Sequence, residues 1–126
     1  MDNQDFQIVY NILGNVLPVD WKKVAFCAEY TEGSYSMKYY VDLGNGEYID
    51  CYNLEGISRK SVIRTFININ KQLSKIRESL PKEKRWNVIT LLIDNSGKFK
   101  AEYDYDDISE NVIKYHENWE KKYLHM

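Results

Sequence analysis

Apolar positions along the chain switch between a helical period near 3.6 and a strand period of two, and each switch marks a new element. From Asp2 to Leu17, the residues Phe6, Val9, Tyr10, Leu13, Val16 and Leu17 recur at helical spacing, and Pro18 ends the run. Gly14 weakens that helix by up to about 1 kcal/mol relative to Ala. Val24, Phe26, Ala28 and Tyr30 then alternate with Lys23, Ala25, Cys27 and Glu29, which predicts a strand closed by the turn Glu32-Gly33-Ser34. In the next strand Tyr35, Met37, Tyr39, Val41 and Leu43 share one face and Ser36, Lys38, Tyr40 and Asp42 the other, the pattern of a half-solvated antiparallel strand. Gly44-Asn45-Gly46 turns into a third strand, Glu47 to Tyr52.

The helical period returns between Ser58 and about Leu80, with Phe66, Ile69, Leu73, Ile76 and Leu80 on one stripe that Ile63 and Ile67 widen. Ser58 or the Asn53 to Gly56 turn opens this helix and Pro81 closes it. Arg85 to Ile93 is a nearly continuous apolar run, expected of a strand covered on both faces. Lys98 to Tyr105 predicts a fifth strand with Phe99, Ala101, Tyr103 and Tyr105 on its core face. A last helix from about Ile108 places Val112, Tyr115, Trp119 and Tyr123 at spacings of three and four, with Asp107 as N-cap and Glu110 completing a capping box. The order is helix, three strands, helix, two strands, helix. Short antiparallel links make the class α+β: a five-stranded antiparallel sheet with helices mainly on one face.

At 126 residues the chain is expected to form one domain, with a core large enough to need no covalent staples. Its two cysteines, Cys27 and Cys51, fall in segments that read as strands and predict reduced, packed thiols. The acidic start and the absence of any run near 18 apolar residues predict a cytoplasmic protein without signal peptide or membrane span. The net charge of -2 is unevenly spread. Val24 to Gly56 holds six acids against Lys38, and Arg59 to Arg85 holds nine bases against Glu78 and Glu83, which predicts acidic strand regions and one basic helix. Such a field raises association rates with an oppositely charged partner by about 10 to 1,000-fold.

Candidate chemistry is sparse. Between Ala101 and Ile113 five acids stand without a Lys or Arg. Asp104, Asp106, Asp107 and Glu110 are hard oxygen ligands but lack the spacing and Gly of a calcium loop, so no metal is expected. His116 and His125 are too few for a metal cluster, and Cys27 has no evident base to activate it. No cofactor and no enzymatic activity are expected. Bases on the solvent face of the middle helix give a non-enzymatic adaptor or nucleic-acid-binding module as the rival reading, against which the acidic sheet segments would repel phosphates. Asp104 and Asp106, unneeded for the cap, and Glu110 are candidates for a partner surface. So are Tyr40, Tyr48 and Tyr52 flanked by Glu47 and Asp50, because exposed tyrosines among acids are common at protein interfaces. Tyr39, Tyr103 and Tyr105 are expected to pack.

Several short pieces occur in a specific order: Leu17-Pro18, Trp21-Lys22-Lys23-Val24, Ala28-Glu29-Tyr30 and Lys38-Tyr39-Tyr40. They continue with Trp86, then Asp94 to Gly97-Lys98-Phe99, Tyr105-Asp106-Asp107-Ile108, and Trp119 followed by Lys122-Tyr123-Leu124. In this order the chain resembles the YezG-like family of bacterial antitoxin and immunity proteins. It departs from the family pattern between Ile108 and Trp119, where Ser109 to Asn118 replaces a Ser-Pro and Glu-Arg pattern. The resemblance implies one immunity domain over residues 1–126, which binds a cognate toxin, expected to be a nuclease, and neutralises it stoichiometrically in the cytosol.

Overall fold

The computed structural model describes residues 1–125. Its elements follow the expected order αβββαββα, and all strand pairings are antiparallel. The chain divides into a helical unit, Met1–Val19 with Cys51–Arg85, and a sheet unit, Asp20–Asp50 with the chain from Trp86 onward.

In the helical unit, α1 (Asn3–Leu13) starts at a capping box: the Asp5 amide donates to Asp2 Oδ1 at 2.8 Å and the Asp2 amide donates to Asp5 Oδ2 at 3.1 Å. The α-helix stops at Leu13 rather than running to Leu17, because from Gly14 the chain tightens into a 3₁₀ turn, Gly14–Val16. α2 (Arg59–Glu78) is capped by Ser58, whose Oγ accepts from the Ser61 amide at 3.1 Å. At its far end the Arg85 guanidinium donates to Leu80 O at 2.9 Å and Glu78 O at 3.0 Å, a cation on the negative pole of the helix.

α1 and α2 pack together, burying Val9 and Leu13 of one and Val62, Thr65, Phe66, Ile69 and Leu73 of the other. The stripe is therefore rotated from the expected one. Val62 and Thr65 belong to it, whereas Ile63 and Ile67 remain 43% and 46% exposed on the flank. Cys51 lies in a 3₁₀ turn, Cys51–Asn53, instead of a strand, so the third strand ends two residues before Tyr52.

The sheet unit orders its strands β3-β2-β1-β4-β5, with β1 (Lys23–Thr31), β2 (Ser34–Asp42), β3 (Tyr48–Asp50), β4 (Val88–Asp94) and β5 (Phe99–Asp104). β1 is central and seven of its residues in succession, Val24 to Tyr30, are buried. Its pairing register divides the sheet into an apolar face with Val24, Phe26, Ala28, Tyr39, Val41, Ile89, Leu91 and Ile93, and a mixed face with Ala25, Cys27, Glu29, Tyr40, Thr90 and Glu102.

Aspartates shape the turns. Asp42 Oδ1 accepts the amides of Gly44 at 2.7 Å and Gly46 at 3.1 Å, and both glycines take positive φ, 116° and 81°. Asp94 Oδ1 accepts the amides of Ser96 and Lys98 at the other hairpin.

β5 is an edge strand, so its expected core face is only half covered: Phe99 is 43% exposed, Tyr103 36% and Tyr105 56%. Tyr103 and Tyr105 are thus not core residues, although Tyr103 still meets Trp86 at 6.2 Å between ring centroids. The last helix, α3, is Val112–Tyr123, four residues later than expected. Asp107 is not its N-cap and forms no capping box with Glu110. Its carboxylate instead accepts the Ser109 amide at 3.0 Å and hydroxyl at 2.7 Å, and a further turn from Asn111 N to Ile108 O holds the chain out of helix until Val112.

α3 covers the mixed face. Trp119 sits in an apolar cluster with Ala25, Cys27, Val88, Ile108 and Leu124, and its indole N–H donates to Thr90 Oγ1 at 2.9 Å.

Two stability outcomes follow from this packing. Leu73→Ala should cost about 2 to 5 kcal/mol through a cavity, against about 0.5 kcal/mol or less for the exposed Ile67→Ala or Lys71→Ala, as read by denaturant melts. Thr90→Val keeps the shape but strands the buried indole N–H, and should cost about 1 to 3 kcal/mol in the same assay. A neutral Thr90→Val would mean that the hydrogen bond does not help to hold α3.

Candidate functional site

Chemistry concentrates on the mixed face, where strand alternation puts carboxylates under a helix. Glu29 stands at mid-strand in β1 and is 8% exposed. A carboxylate there needs a partner, and His116 Nε2 from α3 supplies it in a close contact with Glu29 Oε1. Burial pushes the Glu29 carboxyl up, and the imidazole opposes that shift. Four residues past Trp119, the Tyr123 hydroxyl donates to Glu102 Oε2 on β5. That bond, followed by Lys100 and Lys122, holds Glu102 below the usual carboxylate range. Lys100 approaches Glu102 to 3.1 Å and Lys122 to 3.5 Å.

Two hollows flank Trp119. One, about 170 Å³, is walled by Glu29, Lys38, Tyr40 and His116 with Cys27 at its base. The other, about 320 Å³, lies between β5 and α3 and is lined by Glu102, Tyr103, Asp104, Tyr115, Lys122 and Tyr123 with Thr90 and Asn118. The Cys27 thiol is buried and pushed far up by that burial and by Glu29, so it is a packed proton-bearing group and not an activated nucleophile. Among the described residues no three His, Cys, Asp or Glu side chains converge as metal ligands, and no helix is long and apolar enough to cross a membrane.

The expected partner residues separate into three groups. At the β3 edge, Tyr40 and Asp50 are cross-strand neighbours, and Asp50 is paired with Lys38 at 2.6 Å. Tyr40 packs on Trp119 at 5.6 Å, and Tyr48 is half-buried, its phenol raised first by that burial and then by Asp42. Glu47 is exposed in the preceding turn. At the β5 edge, Asp104, Asp106 and Glu110 lie on the corner leading to α3; Asp104 Oδ1 accepts the Asp106 amide at 2.9 Å, and Asp106 and Glu110 are exposed. The two edges are four strand spacings apart, roughly 19 Å, so they do not form one patch. Tyr52 belongs to the helical unit, where the Arg59 guanidinium lies 4.6 Å from its ring centroid.

Sequence reasoning missed Glu29, Thr90, Glu102 and Tyr115 as a set, because three strands and a helix bring them together. The signal that could have found them is the acid inside an apolar strand, since a buried Glu demands a partner from elsewhere in the fold.

Residues 3–126 match the family described as immunity protein YezG-like. The immunity protein YezG of Bacillus subtilis strain 168 is 27% identical, over 94% of this chain and 85% of that protein. The protein of the same name from Bacillus spizizenii is 24% identical, over 82% of this chain and 68% of its own length. With nearly every described residue inside the match, the chain belongs to the YezG-like family of immunity proteins.

Proposed function

We propose that this protein is a cytosolic antitoxin that neutralises a cognate nuclease toxin by stoichiometric binding rather than by catalysis. The family match over residues 3–126 is the observation that carries the immunity role. Charge and exposure support the rest. The sheet unit holds fourteen acids against eight bases, and the helical unit five against nine. A nuclease must bind phosphates through a basic surface, so an acidic unit is complementary to it.

Within that unit the corner after β5 is the contact surface this reading favours. Tyr105, Asp106, Asp107 and Glu110 are exposed there, and Tyr103 borders them. Tyrosines supply contact area at low entropic cost while the acids steer encounter. The β3 edge is the weaker candidate, because Lys38 already offsets Asp50 and Tyr40 and Tyr48 are partly packed away.

The test uses the nuclease domain that this protein captures as bait in a pull-down. An equimolar mixture should form a 1:1 complex and lose DNA cleavage, whereas cleavage persisting under a clear excess of this protein would reject the assignment. Asp106→Lys with Glu110→Lys changes charge at carboxylates that the turns do not use. This variant should melt like the wild type and associate about tenfold more slowly at low ionic strength. The gap should narrow at high salt, because exposed charges are screened over about 8 to 10 Å at ordinary ionic strength. Equal association rates at low salt would take the corner out of the interface.

A further inference from the structure

We propose that the groove between β5 and α3 is a socket for one cationic side chain of a partner protein, an arginine or lysine, seated against its tyrosine rings with its charge on Asp104. The lining chemistry is that of a cation site. Tyr115 and Tyr123 present aromatic rings, and Glu102 and Asp104 present carboxylates. The volume, about 320 Å³, accommodates a long side chain with its head group.

One end of the groove already holds a cation of this chain. Lys122 Nζ lies 5.2 Å from the Tyr123 ring centroid and 3.5 Å from Glu102, so ring and carboxylate together take an ammonium there. The other end offers a second carboxylate and ring, Asp104 and Tyr115. Among the described residues Asp104 has no ion pair, and Lys122 is the one basic side chain lining the groove. The Tyr115 phenol is raised first by burial, then by Cys27, with Asp104 next and Tyr123 and Glu29 adding less.

Asp104 also closes the turn to Asp106, and this makes the test clean. Asp104→Asn retains an Oδ1 acceptor for the Asp106 amide while removing the charge. The inference deepens the antitoxin reading, since the partner it names is the toxin, but the following test needs no toxin.

The probe is N-acetyl-arginine methylamide, with the norleucine analogue as control, titrated into the isotopically labelled full chain and followed by NMR. Saturable shifts at the amides of Asp104, Tyr115 and Asn118 are expected for arginine and absent for norleucine. Asp104→Asn should weaken the arginine probe about tenfold. Tyr115→Leu should weaken it about threefold or more through loss of the ring. Glu32→Gln, exposed in the turn between β1 and β2, should bind as the wild type does.

Equal responses to the two probes, an unsaturable drift, or full affinity in Asp104→Asn would overturn the socket. If Asp104→Asn does not fold, Tyr115→Leu carries the test, and unchanged affinity there has the same consequence. Saturable arginine binding in a protein that fails to block the toxin would reject the antitoxin reading and leave the socket standing. Protection without arginine binding would reject the socket alone.

Discussion

The sheet unit depends on one stripe of α3 meeting the polar requirements of the face it covers. His116, Trp119 and Tyr123 are spaced by three and four residues and so point the same way. They reach three different strands: Glu29 on β1, Thr90 on β4 and Glu102 on β5. A purely apolar helix could not cover this face, because a carboxylate or hydroxyl sealed without a partner costs about 1 to 3 kcal/mol or more. Among the described residues no buried side-chain nitrogen or oxygen lacks a hydrogen-bond partner. Three directional bonds to three strands also fix the helix in rotation and along its axis, and that placement defines the hollows on either side of Trp119.

Periodicity made the element order and fold class legible, because strand and helix periods alternate cleanly along this chain. It was less reliable at boundaries and on flanks. Ile63 and Ile67 look like core in the sequence, yet the face actually buried is centred on Val62, Phe66, Ile69 and Leu73. Apolar identity alone does not tell a stripe's centre from its edge. Tyr103 and Tyr105 share the parity of core residues, but parity says nothing about whether a strand lies inside the sheet or at its rim. The start of α3 was misplaced for another reason. Asp107 and Glu110 carry the residue types of a capping box, and a competing local bond from Asp107 to Ser109 won.

The candidate site was legible only in part. The acidic corner and the exposed tyrosines could be named from the sequence as single residues. Their separation into a β3 edge and a β5 edge needed strand order, which depends on the non-local pairing of β1 with β4. The pairing of Glu29 with His116 spans 87 residues and leaves no local signal.

Aspartate has two roles here, and separating them clarifies the electrostatics. Asp42, Asp94, Asp104 and Asp107 each accept a backbone amide two residues on, so their presence follows from turn chemistry whatever the partner. Asp106 and Glu110 make no such bond and add charge beyond what the turns require. That excess is exposed, where individual ion pairs contribute only about 0 to 1 kcal/mol and are screened by salt. If a partner docks there, such charge acts on the rate of encounter far more than on the lifetime of a complex. Nanomolar affinity requires about -12 kcal/mol, which must come from surfaces that desolvate on contact. In the sheet unit the groove beside Asp104 combines aromatic rings with a carboxylate in a partly sheltered setting, next to the charges that steer. On the proposed reading, steering and anchoring fall to adjacent but distinct parts of one corner.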